Sequence, residues 1–183
     1  MRKILRKFAS YTGTVVSVSA VIHCCLEYVG DFVLCSGASM EPTLHSKDVI
    51  LTDRITTNFG KVGRGDVIIA KDPAKPRQFI CKRIVGLEGD LILTQDTGNG
   101  NSTSFSYDYE QSVEPVNEKI EKLSENPEIR YKKVWIPRGH VWVEGDNSNH
   151  SYDSRHYGPI PHGLIQSRAF FRVYPFHQMG LIH

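Results

Sequence analysis

A chain of 183 residues with 40% apolar content has room for one domain with its own core and a short appended segment. A net charge of +2 gives no reason to expect a nucleic-acid partner. The four cysteines, Cys24, Cys25, Cys35 and Cys81, have spacings that demand no disulfide framework, so they read as small apolar lining. Charge is unevenly placed, however, and the unevenness begins at the N-terminus.

Met1–Lys7 carries four basic residues, and no acidic residue precedes Glu27. From Phe8 to Leu26 run 19 residues without Asp, Glu, Lys or Arg, about 28 Å as a helix and close to the thickness of a bilayer core. Ser10, Thr12, Thr14, Ser17, Ser19 and His23 dilute the stretch. A cleaved signal peptide, a matrix presequence and a retained anchor all fit a basic, acid-free start. The retained anchor is favoured, with attachment to one face of the bilayer as the fallback. Residues 1–34 are therefore assigned to a basic N-terminus and membrane anchor, and 35–183 to the folded domain. The basic flank puts the N-terminus on the side of the membrane that retains positive charge and the domain on the other.

Beyond the anchor, short apolar runs alternate with Gly, Asp and Pro turns. They fall at Val49–Leu51, Val67–Ala70, Phe79–Val85, Leu91–Leu93, Val134–Ile136, Val141–Val143 and Ala169–Tyr174. Strands this frequent predict a mainly β fold of folded antiparallel sheets. Residues 96–133 break the pattern: Asp96–Ser102 is turn-rich, and Val116, Ile120 and Leu123 have helical spacing. A surface insertion is expected there, with a contact site for a partner subunit as its alternative.

The chemistry rests on three segments. Ser39 lies on the turn Ser36–Leu44, Lys82 on the apolar run Phe79–Val85, and Ser151 in the late polar cluster Gly145–Arg155. A serine hydroxyl is a weak nucleophile and needs a base; lysine serves only when desolvation lowers its pKa. An apolar strand can bury Lys82, while strand alternation turns Arg83 to the opposite face and lets it stay in water. Separately each piece has an ordinary reading: turns use Ser and Pro for backbone reasons, Gly-Asp-Asn is a tight turn, and Asp153 with Arg155 is a surface ion pair. No Gly-x-Ser-x-Gly elbow, His-Glu-x-x-His pair or phosphate-cradling glycine loop occurs. A catalytic metal or other cofactor is not expected, and His140, His150, His156 and His162 read as turn or surface residues.

Taken together, Ser36–Leu44, Gly65–Ile68, Lys82–Asp90 and Gly145–Pro161 resemble, in order, the boxes of the type I signal peptidases. Glu88, where bacterial relatives usually carry proline, tilts the resemblance toward the mitochondrial branch. The resemblance implies an all-β catalytic core and peptide hydrolysis through an acyl-enzyme. It implies Ser39 as nucleophile, Lys82 as general base and Ser151 as the residue that orients the lysine. Asp146, Asp153 and Arg155 would brace the site, and Met40, Leu44, Ile80 and Cys81 would line the substrate pocket. Some members supply a second oxyanion donor from a hydroxyl two residues before the nucleophile; that position is Gly37 here, so the second donor stays open. The implied substrates are precursors with sorting or signal peptides. The implied setting is the mitochondrial inner membrane facing the intermembrane space, in a heteromeric complex with a related second subunit. A signal peptidase of another membrane and a non-catalytic scaffold subunit are the alternatives.

Overall fold

The computed structural model describes residues 2–24, 30–96, 104–107 and 130–182. Helix α1 (Arg2–Cys24) comes first and is exposed over the residues 11–24. Among the described residues no helix is long and apolar enough to cross a membrane. The helical spacing noted at 116–123 lies outside the described residues.

The rest is antiparallel sheet. Strands β1 (Gly30–Leu34), β2 (Val49–Asp53), β3 (Val67–Lys71), β4 (Phe79–Gly86), β8 (His140–Glu144), β9 (Ile160–Pro161) and β10 (Ile165–Tyr174) join in the order β1-β2-β10-β3-β4-β8-β9; β11 (Gly180–Leu181) pairs with β10. A second sheet contains β5 (Leu91–Asp96), β6 (Ser104–Tyr107) and β7 (Arg130–Trp135) in the order β6-β5-β7. Two strands of the stretch 96–133 thus belong to a sheet. Gly30–Leu34, expected as the end of the anchor, is the edge strand of the large sheet and pairs with all of β2.

The burial pattern follows from strand position. Val67–Ala70 lies between β10 and β4 and is buried on both faces, whereas β2 alternates, with Ile50 and Thr52 inward. One core gathers Ile68, Ala70, Ile84, Val141, Val143 and Ile160; a second gathers Met40, Leu44, Ile50, Val67, Ile69 and Ala169. β4 runs between them, sending Ile80 and Ile84 to the first and Cys81 to the second. At its end Gly86 lets the two sheets cross: a Cβ there would sit 2.6 Å from Ile136 Cδ1 and 2.8 Å from Ile92 Cδ1. Ile92, Ile136 and Trp142 form the third core at that crossing.

Candidate active site

The loop from Cys35 to Asp48 joins β1 to β2 and is pinned at both ends. Cys35 N–H donates to Asp48 O at 2.8 Å, and Lys47 N–H donates to Cys35 O at 2.9 Å. Asp48 is buried and accepts from Arg172 Nη1 at 3.1 Å, while the same arginine nitrogen donates to Thr43 O at 3.0 Å. Met40 and Leu44 drop into the second core, which leaves Ser39 half-buried at the top of the turn. Its carbonyl oxygen accepts from Asn147 N–H at 3.0 Å, so the serine backbone is held from across the molecule.

Lys82 reaches this serine from β4, with Nζ 2.8 Å from Ser39 Oγ. Only 4% of the lysine is exposed. Burial drives its pKa below the free value of 10.5, and the neighbouring Asp153 carboxylate opposes that shift. A buried amine in contact with a hydroxyl, with its charge disfavoured, is the arrangement a general base requires.

Behind the lysine sits a carboxylate that gathers four groups. Asp153 is fully buried and accepts from Gly145 N–H at 2.9 Å, Ser151 Oγ–H at 2.5 Å and Arg155 Nε–H at 2.8 Å. It also accepts from Arg155 N–H at 3.3 Å and so caps the short helix Ser154–Tyr157. Burial alone would raise the Asp153 pKa, but the hydrogen bonds from Arg155, Gly145 and Ser151 outweigh it and hold the carboxyl below the usual range. Ser154 Oγ accepts from Val143 N–H at 3.0 Å, tying the helix to β8.

Ser151 is buried and engaged with Asp153; among the described residues no hydrogen bond joins it to Lys82. Asp146 does not stand alone as a brace. Arg83 holds it with two bonds, Nε to Oδ1 at 2.9 Å and Nη2 to Oδ2 at 2.7 Å, and also donates to Gly65 O at 2.7 Å. Arg83 does lie on the face opposite Lys82, yet that face is not open water: its side chain is 19% exposed and pairs with Asp146. Alternation gives the direction of a side chain and not what the fold brings to meet it.

A small recess adjoins Ser39. It is lined by Cys35, Ser36, Gly37, Met40, Leu44 and Cys81, so three of the four expected pocket residues meet there. Ile80 does not, because it packs on the other face of β4 against the first core. Burial pushes the Cys81 thiol up to about 12 and the Cys35 thiol up to about 11, and both are free, as is Cys24. Gly145 is a site residue that motif reasoning passed over: a Cβ there would collide with Ser39 O and with the Ser151 side chain. Its one visible signal was its place directly before Asp146 at the end of an apolar strand. Among the described residues no group of three or more His, Cys, Asp or Glu could hold a metal ion.

With this geometry in view, comparison with known proteins decides the lineage. Residues 8–174 match the family described as signal peptidase, peptidase S26. The chain belongs to that family. It is a serine endopeptidase of the signal-peptidase type, the class in which a Ser-Lys dyad is general. Human "Mitochondrial inner membrane protease subunit 1" is 40% identical over 100% of this chain and 92% of its own. Zebrafish (Danio rerio) "Mitochondrial inner membrane protease subunit 2" is 32% identical over 95% of this chain and 79% of its own. A signal peptidase I crystal structure from Enterococcus faecalis V583 aligns with 59% of this chain and 96% of its own, at 22% identity and a TM-score of 0.37.

Proposed function

We propose that this peptidase acts at the mitochondrial inner membrane, removing sorting peptides from proteins delivered to the intermembrane space. The observation that carries the residue roles is the 2.8 Å contact between Lys82 Nζ and Ser39 Oγ inside a site that disfavours the ammonium. With the amine neutral, the Ser39 hydroxyl donates to Nζ. Ser39 Oγ attacks the scissile carbonyl as Lys82 takes the proton, and Lys82 returns it to the leaving amine. Water deprotonated by the same lysine then releases the acyl group and regenerates Ser39. The Ser39 backbone N–H is one donor for the oxyanion. Asp153, held by Arg155, fixes the Ser151 hydroxyl, and the Arg83–Asp146 pair holds the turn whose Asn147 N–H grips Ser39.

Membrane attachment is supported by the sheet as well as by α1. One outer row crosses four strands, Phe32 to Leu51 to Phe171 to Leu181, and a second links Leu34, Val49 and Tyr174. Phe32, Leu34, Tyr174 and Leu181 are each about half exposed or more, at 57%, 66%, 49% and 63%. A contiguous apolar face of this kind suits a lipid surface. It would hold the catalytic loop at the bilayer, where anchored precursors are cut, with α1 lying on or in that bilayer. The names of the relatives support a mitochondrial setting and a second, related subunit as partner.

The test is cleavage of a precursor by wild type, Ser39→Ala and Lys82→Ala in mitochondria lacking the endogenous enzyme. Each variant should accumulate uncut precursor, with cleavage reduced by about 10⁴-fold or more. Processing at the wild-type rate in either variant would remove the Ser-Lys assignment. Protease protection of a C-terminal tag, shielded in intact mitochondria and digested once the outer membrane is opened, tests the orientation separately.

A further inference from the structure

We infer that Tyr152 forms a substrate ledge on the leaving-group side of the scissile bond and discriminates among residues that follow it. The inference rests on the endopeptidase reading of the Ser39–Lys82 site and adds a specificity residue to it.

The placement begins with β4. Cys81 and Lys82 are adjacent and therefore project to opposite faces. Cys81 faces the second core and lines the recess beside Ser39 with Met40 and Leu44. Lys82 shares the other face with Ile80 and Ile84, where Tyr157 packs against the first core. The contact between Lys82 Nζ and Ser39 Oγ joins the two sides. A peptide whose acyl-side residue enters the recess must direct its leaving amine toward the lysine that protonates it. That side is the one occupied by Ser151–Tyr157.

On that side Tyr152 stands out. It lies between the buried Ser151 and the buried Asp153, yet its own side chain is turned outward and 61% exposed. The ring is not loose. It stacks on His156 with centroids 4.7 Å apart at 30° and meets Tyr157 edge-on at 5.6 Å. His156 is itself anchored, because its Nδ1 accepts from Asp153 N–H at 3.5 Å in the helix cap. Tyr157 is anchored by the first core. An exposed aromatic ring braced by two neighbours and flanked by two residues of the catalytic cluster is a pre-organised contact surface. Among the described residues the ring packs only against these two neighbours, and its outer face is exposed. The first residue after the cut bond is the segment of substrate that passes there, and a side chain on that residue gains contact that glycine cannot.

The test uses the full chain in detergent and a precursor whose cut bond has been mapped. Internally quenched peptides spanning that bond carry Gly, Ala, Leu or Phe immediately after it. Wild type should show kcat/KM rising from Gly to Leu or Phe by about threefold to tenfold, the scale of one aromatic contact. Tyr152→Ala should flatten that series, and Tyr152→Phe should restore it, since the ring and not the hydroxyl makes the contact. A series with the same Leu-to-Gly ratio in wild type and Tyr152→Ala would overturn the ledge while leaving the endopeptidase reading intact. So would an equal fall for all four peptides in Tyr152→Ala, which is the mark of a merely structural role. Failure of wild type to cut any of the peptides would overturn the endopeptidase reading, and the ledge with it.

Discussion

Two cations are buried in the same corner of this protein and meet opposite fates. Lys82 is 4% exposed, and no carboxylate lies within 4.0 Å of its amine among the described residues. Burial therefore dominates and lowers its pKa. The Arg155 side chain is 3% exposed, but it grips Asp153 and lies 4.0 Å from Glu144. Burial works against its charge too, yet the hydrogen bond and attraction of Asp153 overcome it and push the pKa up. Burial sets a penalty for charge, and the nearest partner decides whether the charge survives it. One carboxylate serves both outcomes: committed to Arg155, Asp153 is near enough to Lys82 to be felt and too occupied to neutralise it.

The sharpest way to break that contrast is to remove the shared carboxylate. Asp153→Ala removes the carboxylate that the Arg155 guanidinium grips, frees Ser151 Oγ and Gly145 N–H, and removes a helix cap. Loss of one member of a buried pair costs about 3–5 kcal/mol. The expected result is a melting temperature lower by about 10 °C together with loss of cleavage, read by thermal melts and a precursor assay. Acid should act in the same direction. Because the folded pKa of Asp153 is depressed, its contribution is complete above the unfolded value near 3.8 and is lost as pH falls through the folded one. A melting temperature within one degree of wild type would show that Arg155 does not depend on this partner.

Gly145→Ala tests the spacing and leaves the charges in place. The added methyl would press on Ser39 O, which is backbone and has little freedom to yield, and on the Ser151 side chain. Overpacking of this kind costs about 1–3 kcal/mol. Displacing the nucleophile should reduce kcat by about 100-fold, with KM changed far less. A folded variant with full kcat would mean that Ser39 tolerates a shift the geometry forbids.

The contrast between these cations was only half legible in the sequence. Ser39, Lys82, Ser151 and the Asp146, Asp153 and Arg155 cluster could be found because spaced, ordered motifs survive without knowledge of the fold. The strands were legible wherever apolar runs met turn residues. What sheet curvature brings together was not. Asp146 meeting Arg83, Asn147 gripping the Ser39 carbonyl and Gly145 yielding space to both serines depend on how the turn after β8 returns over the β1–β2 loop. No periodicity encodes that approach. Ile80 illustrates the same point: the resemblance groups it with Cys81 as pocket lining, and strand alternation packs the two against different cores.

The smallest effect is also the most diagnostic, because it runs against intuition. Lys82→Met should abolish cleavage and yet make the protein more stable at neutral pH. The native pKa of Lys82 lies below its free value of 10.5, so between the two the unfolded chain binds a proton that the native state gives up. Stability of wild type must then rise with pH across that window, and the penalty is full below the native pKa. Methionine carries no such penalty and keeps similar volume, a gain of about 1–2 kcal/mol at pH 7 of the size seen when buried charges become apolar. The gain should shrink as pH approaches 10.5, since wild type sheds its own penalty there, and wild-type cleavage should climb with pH through the same group. Chemical denaturation of both proteins from pH 6 to 10 measures this directly. A variant less stable than wild type at every pH would mean the amine is held by favourable contacts, and Lys82 and Arg155 would then be two cases of one kind.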